Sequence, residues 1–421
     1  MKATSTAWPT VRVAELQAPK RYALNGGPFG SKLVSSDYVP EGVPVIRGAN
    51  LPEDSRFSVR DFVFVSELKA DELLPNNAHP GDLVFTQRGT LGQVGLIPRA
   101  SPFCRYVISQ SQMKLTVDEK RADVAFLYYY FRAPRTVEQI HNLAFSTGVP
   151  HINLDILRNF EVRLPPLPVQ KIIRALLWTY DDLIENNTRR IRILEEMAQA
   201  VYREWFVHFR FPGHKKVKLV PSSLGPIPER WEANSLGNVS LNFDRLRKPV
   251  SKMQRTTRRG PYPYYGAARV FDFIDDFIFD GEYLLVAEDG SVITADRMPV
   301  LQLASGRFWA NNHTHIIQGK PPVSTEYLYL RLCDLDISGY ITGAAQPKVT
   351  QENLNRIPVL VPSNSVLDQF DSVVCDSFVL LRTLKEKNRV LQSTCDLLLP
   401  KLISGEVDVS ELDIDVGDVA V

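Results

Sequence analysis

The sequence predicts an α+β chain: two mixed α/β globular units separated by a long antiparallel two-helix coiled coil, with a pseudo-twofold internal duplication. Three observations predict it. Two segments carry the 3.5–3.6-residue apolar period of long helices, the chain repeats itself at a spacing of about 197 residues, and short strand-like runs alternate with Gly turns before each long helix.

The first helical segment opens after Pro165, Pro166 and Pro168 and runs to about His208. Val169, Ile173, Leu176, Tyr180 and Leu183 mark its stripe, which continues after a four-four step at Asn187 through Ile191, Leu194, Ala198, Val201 and Trp205. Such a step is a stutter, where a coiled coil locally unwinds. The second segment follows Pro362 with Leu367, Phe370, Val374, Leu381, Leu384, Leu391, Cys395, Leu398 and Leu402, interrupted at Ser377 and Asn388. About 40 helical residues reach some 60 Å, more than one small domain can cover, so the two helices are expected to pack on each other. Asn187 and Asn388 then fall in the seam, where polar residues fix register.

The repeat links the halves. Pro150 falls on Pro347, Ile152 on Val349, Leu157 on Leu354, Phe160 on Ile357, Val162 on Val359 and Pro165 on Pro362. Upstream, VPVIRGANL (43–51) answers PYPYYGAARV (261–270), and GDLVFTQRGTLGQVGLI (81–97) answers GEYLLVAEDGSVIT (281–294). RYVISQSQMKL (105–115) likewise answers RFWANNHTHII (307–317). Four prolines and two glycines in 211–231 mark a linker. The expected order is a first unit (1–150), a spacer region with the first helix (151–210), a second unit (211–350) and a C-terminal spacer region with the second helix (351–421).

Composition narrows the function classes. The 421 residues allow two to four domains, and 44% hydrophobic residues exclude a disordered or fibrous chain. With 49 basic against 48 acidic side chains the net charge is +1, so any nucleic-acid surface is local. Four scattered cysteines without a CxxC pair fit reduced thiols in a cytoplasm, and no apolar run approaches the roughly 18 residues of a membrane span.

In motif order the chain resembles the specificity subunit of type I DNA restriction-modification enzymes over essentially its full length. The resemblance rests on GPFGSKL (27–33), FTQRGTLGQVGLIP (85–98), LPPLPVQKII (164–173) and ENNTRRIRILEEMAQAVYREWF (185–206). YYGAARV (264–270), LLVAEDGS (284–291), NNHTHII (311–317) and LLLPKLISGEV (397–407) complete it. It implies that each unit is a target-recognition domain reading one half of a split double-stranded DNA site, with the helices setting the gap. It also implies two methyltransferase subunits docked on the helices and motor-nuclease subunits in the complex, with S-adenosylmethionine, ATP and Mg on those partners and no cofactor on this chain.

Candidate DNA-binding residues follow from side-chain chemistry. RLRKPVSKMQRTTRR (245–259) holds seven Lys or Arg in fifteen residues with no acid, so Arg245, Arg247, Lys248, Lys252 and Arg255 are candidate phosphate contacts, or a solvated loop balancing the acidic tail 406–418. Gln87, Arg88 and Thr90 sit in a turn after a strand, where Arg pairs with guanine and Gln with adenine, or where polar groups simply meet water. Arg47 either reads a base or pins its turn. In the second half Tyr265, Asn312 and His313 offer hydrogen bonds, although tyrosines here also suit half-buried strand positions. Ser146, Thr147 and His151, repeated as Thr342 and Lys348, make a phosphate clamp or a capping turn. His313 and His315 share a strand face, but no third ligand stands nearby in sequence, and no metal is expected. Tyr202, Trp205 and Phe206 exceed what one seam needs; with Asn187 and Asn388 they are candidates for subunit docking, or they pack on the linker or a recognition unit.

Catalysis is not expected on this chain. The amino-methyltransferase tetrapeptide [DNS]-P-P-[YFW], the GxxxxGK[ST] loop and a Pro-Asp nuclease motif are all absent. The alternatives are a DNA-modifying enzyme whose site is dispersed beyond sequence motifs, and a coiled-coil scaffold that never touches DNA.

Overall fold

The computed structural model describes residues 8–53, 55–144, 150–343, 346–414 and 416. It contains two compact units: residues 1–187 with 387–421, and residues 188–386. The first long helix, Leu167–Tyr202, and the second, Asn364–Ser404, each contribute to both.

In the first unit, a four-stranded antiparallel sheet runs in the order Leu24–Gly26, Gln112–Leu115, Leu83–Thr86, Val94–Leu96. A five-stranded mixed sheet holds Val43–Ile46 parallel to Tyr106–Ile108. Helix Val124–Arg132 starts at Asp123, whose carboxylate accepts from Phe126 N at 2.9 Å, and almost every one of its side chains is buried. Its Phe126 and Phe131 join Leu83, Phe85, Met113, Ile173 and Leu177 in one core, closed from the C-terminal side by Leu402, Ile403 and Val409. N-terminal strand Thr10–Arg12 pairs antiparallel with Glu161–Arg163, so the strand just before the long helix is stapled to the start of the unit.

The second unit repeats this plan. Glu232–Ser235 pairs antiparallel with Pro358–Val361 as Thr10–Arg12 does with Glu161–Arg163. Helix Thr325–Cys333, capped by Ser324 through Tyr327 N at 3.1 Å, stands where Val124–Arg132 does. Its strands form a single six-stranded sheet, Ser240–Asn242, Thr314–Gly319, Phe279–Ala287, Leu301–Ala310, Arg259–Tyr265, Val270–Ile274, with Arg259–Tyr265 parallel to Leu301–Ala310. The nine- and ten-residue strands Phe279–Ala287 and Leu301–Ala310 pair along their length, and this fuses what the first unit keeps as two sheets.

Within each unit the long helices pack antiparallel. In the first, Asn187 Nδ2 donates to Asn388 Oδ1 at 2.9 Å and Asn388 Nδ2 to the Ile184 carbonyl at 3.3 Å. In the second, Ile191 packs with Leu381 and Leu384, and Lys385 pairs with Glu195 at 3.2 Å. The stripe read for the second helix is buried at Leu367, Phe370, Val374, Leu381 and Leu384, but near Ser377 it moves to Phe378. On the first helix the buried face is wider than the stripe read from sequence. Ile172, Ile173, Leu177 and Trp178 are buried and Leu183 is 47% exposed, because this half of the helix is embedded in a globular core as well as a seam.

The Pro/Gly-rich stretch after the first helix is packed rather than loose: Phe211, Ile227 and Trp231 are buried in the second core. There they meet Tyr202 and Phe206, with Phe206 to Phe370 ring centroids at 4.8 Å and Phe206 to Trp231 at 5.8 Å. Tyr202 and Phe206 therefore present no docking face, and their surplus is explained by packing against the linker and the second unit. Trp205 lies half-buried against Phe370.

Candidate nucleic-acid interface

At one end of the four-stranded sheet in the first unit, backbone hydrogen bonds gather three loops around Gln87. Its N–H donates to the Ser111 carbonyl at 2.7 Å and its carbonyl accepts from Ile152 N at 3.1 Å, while Arg88 and His151 form an antiparallel bridge. The second unit does the same with Glu288. Its N–H donates to the His313 carbonyl at 2.9 Å, its carbonyl accepts from Val349 N at 2.8 Å, and Asp289 bridges Lys348. Gly89 and Gly290, at φ +86° and +77°, turn the chain identically after these residues, a left-handed conformation that glycine adopts without strain. Gln87 and Glu288, Arg88 and Asp289, Ser111 and His313, and His151 and Lys348 are thus equivalent places on one framework.

The first unit's places carry no acidic side chain. Arg88 is exposed and makes no ion pair among the described residues, Gln87 and His151 are half-buried, and exposed Thr90 hydrogen-bonds Gln93. Arg47 turns inward instead: its guanidinium donates to the Asp61 carbonyl at 2.6 Å and its Nε is buried, so it pins the loop. Ser146 and Thr147 lie outside the described residues.

The second unit's places are occupied by an ion-pair network. His315, 1% exposed, faces Asp244 Oδ2 at 2.5 Å through Nδ1 and the Val349 carbonyl at 2.8 Å through Nε2. Both ring nitrogens are therefore engaged by oxygen partners. Arg247 reaches Glu288 at 2.5 Å and the Thr314 carbonyl at 2.8 Å, and Lys348 Nζ reaches Glu288 at 3.0 Å. Burial works against ionisation of both carboxyls. Hydrogen bonds from His315 and Ile316 N to Asp244, and from Arg247 and Lys348 to Glu288, outweigh it and hold both below their ordinary values.

Asp244, Glu288 and His315 also bring one ligand atom each within 4.8 Å of one another, a grouping of metal-ligand type that sequence spacing around His315 did not reveal. Its chemistry is that of a closed network, since both histidine nitrogens are engaged by acceptors and both carboxylates by cations. His313 is held by Asp289 at 2.6 Å, and Asn312 is exposed beside it. Tyr265 is half-buried against Phe308, ring centroids 5.3 Å apart, as a strand position would be.

The basic loop divides in two. Arg247, Arg255 and Arg258 are tied to acids of their own unit, Arg255 to Asp272 at 3.3 Å and Arg258 to Asp275 at 2.9 Å. Arg245, Lys248 and Lys252 are exposed and make no ion pair among the described residues. Sequence reasoning missed Ser111 and Asp244, and it considered Glu288 and Asp289 only as acids without a metal-binding partner. Asp289 lay inside the aligned segment 281–294, but only the backbone register shows that it takes the place of Arg88.

A duplicated α+β protein, carrying one loop framework twice with different polar and cationic side chains on it, is the class that fold and site define. The sequence profile described as "Type I restriction modification DNA specificity domain" matches residues 34–196 and again 228–374. The chain belongs to this family. It is 35% identical over 135 residues to the putative type I restriction enzyme specificity subunit S.HindORF215P of Haemophilus influenzae, covering 32% of this chain and 34% of that one. It is 20% identical over 407 residues to the EcoprrI specificity subunit of Escherichia coli, covering 91% and 92%. The crystal structure of the type I restriction-modification system S subunit from M. genitalium shares the fold with a TM-score of 0.55 at 17% identity, over 96% of this chain and 98% of that one.

Proposed function

We propose that each unit reads one half of a bipartite double-stranded DNA site through its loop framework, and that the long helices set the gap and dock methyltransferase subunits. One observation carries this reading. The backbone around Gln87 and Glu288 is duplicated hydrogen bond for hydrogen bond, whereas the side chains upon it differ in charge: Arg88 against Asp289, Ser111 against His313, His151 against Lys348. A constant frame with variable side chains is what two readers of different base sequences require, because phosphate contacts position and base-edge contacts specify. Arg245, Lys248 and Lys252 supply the phosphate contacts of the second unit, and Lys348 with Thr342 its clamp.

The chain works without chemistry of its own. S-adenosylmethionine, ATP and Mg belong to the methyltransferase and motor-nuclease partners. The test is reconstitution: this chain with its methyltransferase partners methylates DNA at one split site, and the chain alone, given DNA and S-adenosylmethionine, transfers no methyl group. Methyl transfer by the chain alone would overturn the reading.

A further inference from the structure

The framework carries a second repeated feature that base-reading groups do not account for. After strand Leu24–Gly26 the chain turns through Gly27 to Lys32, and Phe29 on that turn is 84% exposed. The turn is not a loose tip. Gln110 Nε2 donates to the carbonyls of Gly30 at 2.6 Å and Leu33 at 3.1 Å, Leu33 is buried, and Gly27 lies so close to Ser109 that a Cβ there would stand 2.0 Å from its carbonyl oxygen. Ser111, next to Gln110 in the same loop, accepts from Gln87 N, so the Phe29 turn and Gln87 are fastened to one loop.

In the second unit the equivalent strand, Ser240–Asn242, leads into the turn Asp244–Leu246, and Leu246 is 50% exposed. This turn is fastened on both sides: Asp244 by His315 and Ile316 N, Arg247 by Glu288, and the Lys248 carbonyl by Trp309 Nε1 at 2.6 Å. Exposed cations flank both apolar side chains, Lys32 in the first unit and Arg245 and Lys248 in the second.

We propose that Phe29 and Leu246 are apolar wedges, each inserted between base steps of the DNA half-site that its own unit reads. This rests on the DNA-reading function proposed above. Phe and Leu are side chains that unstack base steps in this way, and a wedge already fixed on a rigid turn loses little conformational freedom on insertion. The flanking cations neutralise the phosphates on either side of the widened step.

The test uses the chain assembled with its methyltransferase subunits, on a duplex carrying the site located by mapping methylated adenines. Permanganate reactivity of thymines reports unstacking and fluorescence anisotropy reports affinity. Phe29→Ala abolishes the reactive step in the first half-site and weakens binding by about tenfold, Phe29→Leu retains both, and Leu246→Ala acts only on the second half-site. Both positions being exposed, melting temperatures stay at the wild-type value. The wedge is overturned if both alanine variants bind and unstack like wild type while Arg88→Ala weakens binding, a result that leaves the DNA-reading surface standing. If Arg88→Ala is also silent, the surface itself is misplaced and the wedge falls with it. Loss of methyltransferase assembly with unstacking unchanged would assign the two side chains to a protein partner instead and equally overturn the proposal.

Discussion

Asp244 and Glu288 ionise against burial because cationic and N–H donors converge on them, and this gives the second unit an acid-labile element. A carboxyl whose folded pKa lies below its unfolded value, here 3.8 for Asp and 4.5 for Glu, stabilises the fold above the unfolded value. That stability disappears as pH falls through the folded value. In the first unit Gln87 stands where Glu288 does, so the equivalent place there has no carboxyl to protonate. Hydrogen exchange between about pH 5 and about pH 3 is therefore expected to show the loops joined by Asp244 and Glu288 losing protection as the pH falls, with the pH dependence reduced in Asp244→Asn. At the same scale, Arg88→Ala is expected to cost about 1–3 kcal/mol of binding and to relax specificity in one half-site only, read by methylation sequencing. Replacing Arg245, Lys248 and Lys252 by Gln is expected to weaken all DNA sequences alike and to flatten the salt dependence by about one unit for each phosphate no longer neutralised. The site was partly legible in sequence: Arg88 and Lys348 stand at repeated places of the framework, whereas the engagement of Arg47 by the Asp61 carbonyl, and of Arg247 and Lys348 by Glu288, is announced by no local pattern.

Among the elements, the helices show which polar residues belong to packing. Asn187 is buried and hydrogen-bonded to Asn388 inside the seam, so the two amides serve helix packing. Asn187→Ala removes the donor to Asn388 Oδ1 and is expected to cost about 1–3 kcal/mol in urea unfolding. The double replacement by leucine is expected to recover or exceed wild-type stability while loosening register. Arg56 joins a globular loop to the first helix, its guanidinium 3.9 Å over the Trp178 ring and paired with Asp182 at 2.6 Å and Glu185 at 2.9 Å. Arg56→Ala is expected to lower first-unit stability by about 1–2 kcal/mol, since the carboxylates are largely exposed and the ring contact carries most of the effect. The period of the second helix was readable almost residue by residue. The first half of the first helix was not, because a helix buried in a globular core hides more than a seam.

At the scale of the whole molecule, duplication is the governing fact. A strand stapled before a long helix, a capped buried helix and a Gly turn after the reader strand all occur twice. Where such a protein sets its gap by helix length, inserting four residues near Thr188 adds about one turn, roughly 5.4 Å, or between one and two base pairs. Methylation mapping is expected to find both half-sites kept and the gap lengthened; an unchanged gap would dismiss the helix as the ruler.

The sequence by itself determined the helices, the duplication and the family, because apolar period and motif order are written locally and survive in linear form. Tertiary structure alone decided which charges are spent and which remain. Asp244 and His315 stand 71 residues apart along the chain, and only folding makes them a buried hydrogen-bonded pair. Folding likewise leaves Arg88 open to solvent and fastens Phe29 outward, since burial and electrostatic pairing depend on neighbours in space and not in sequence.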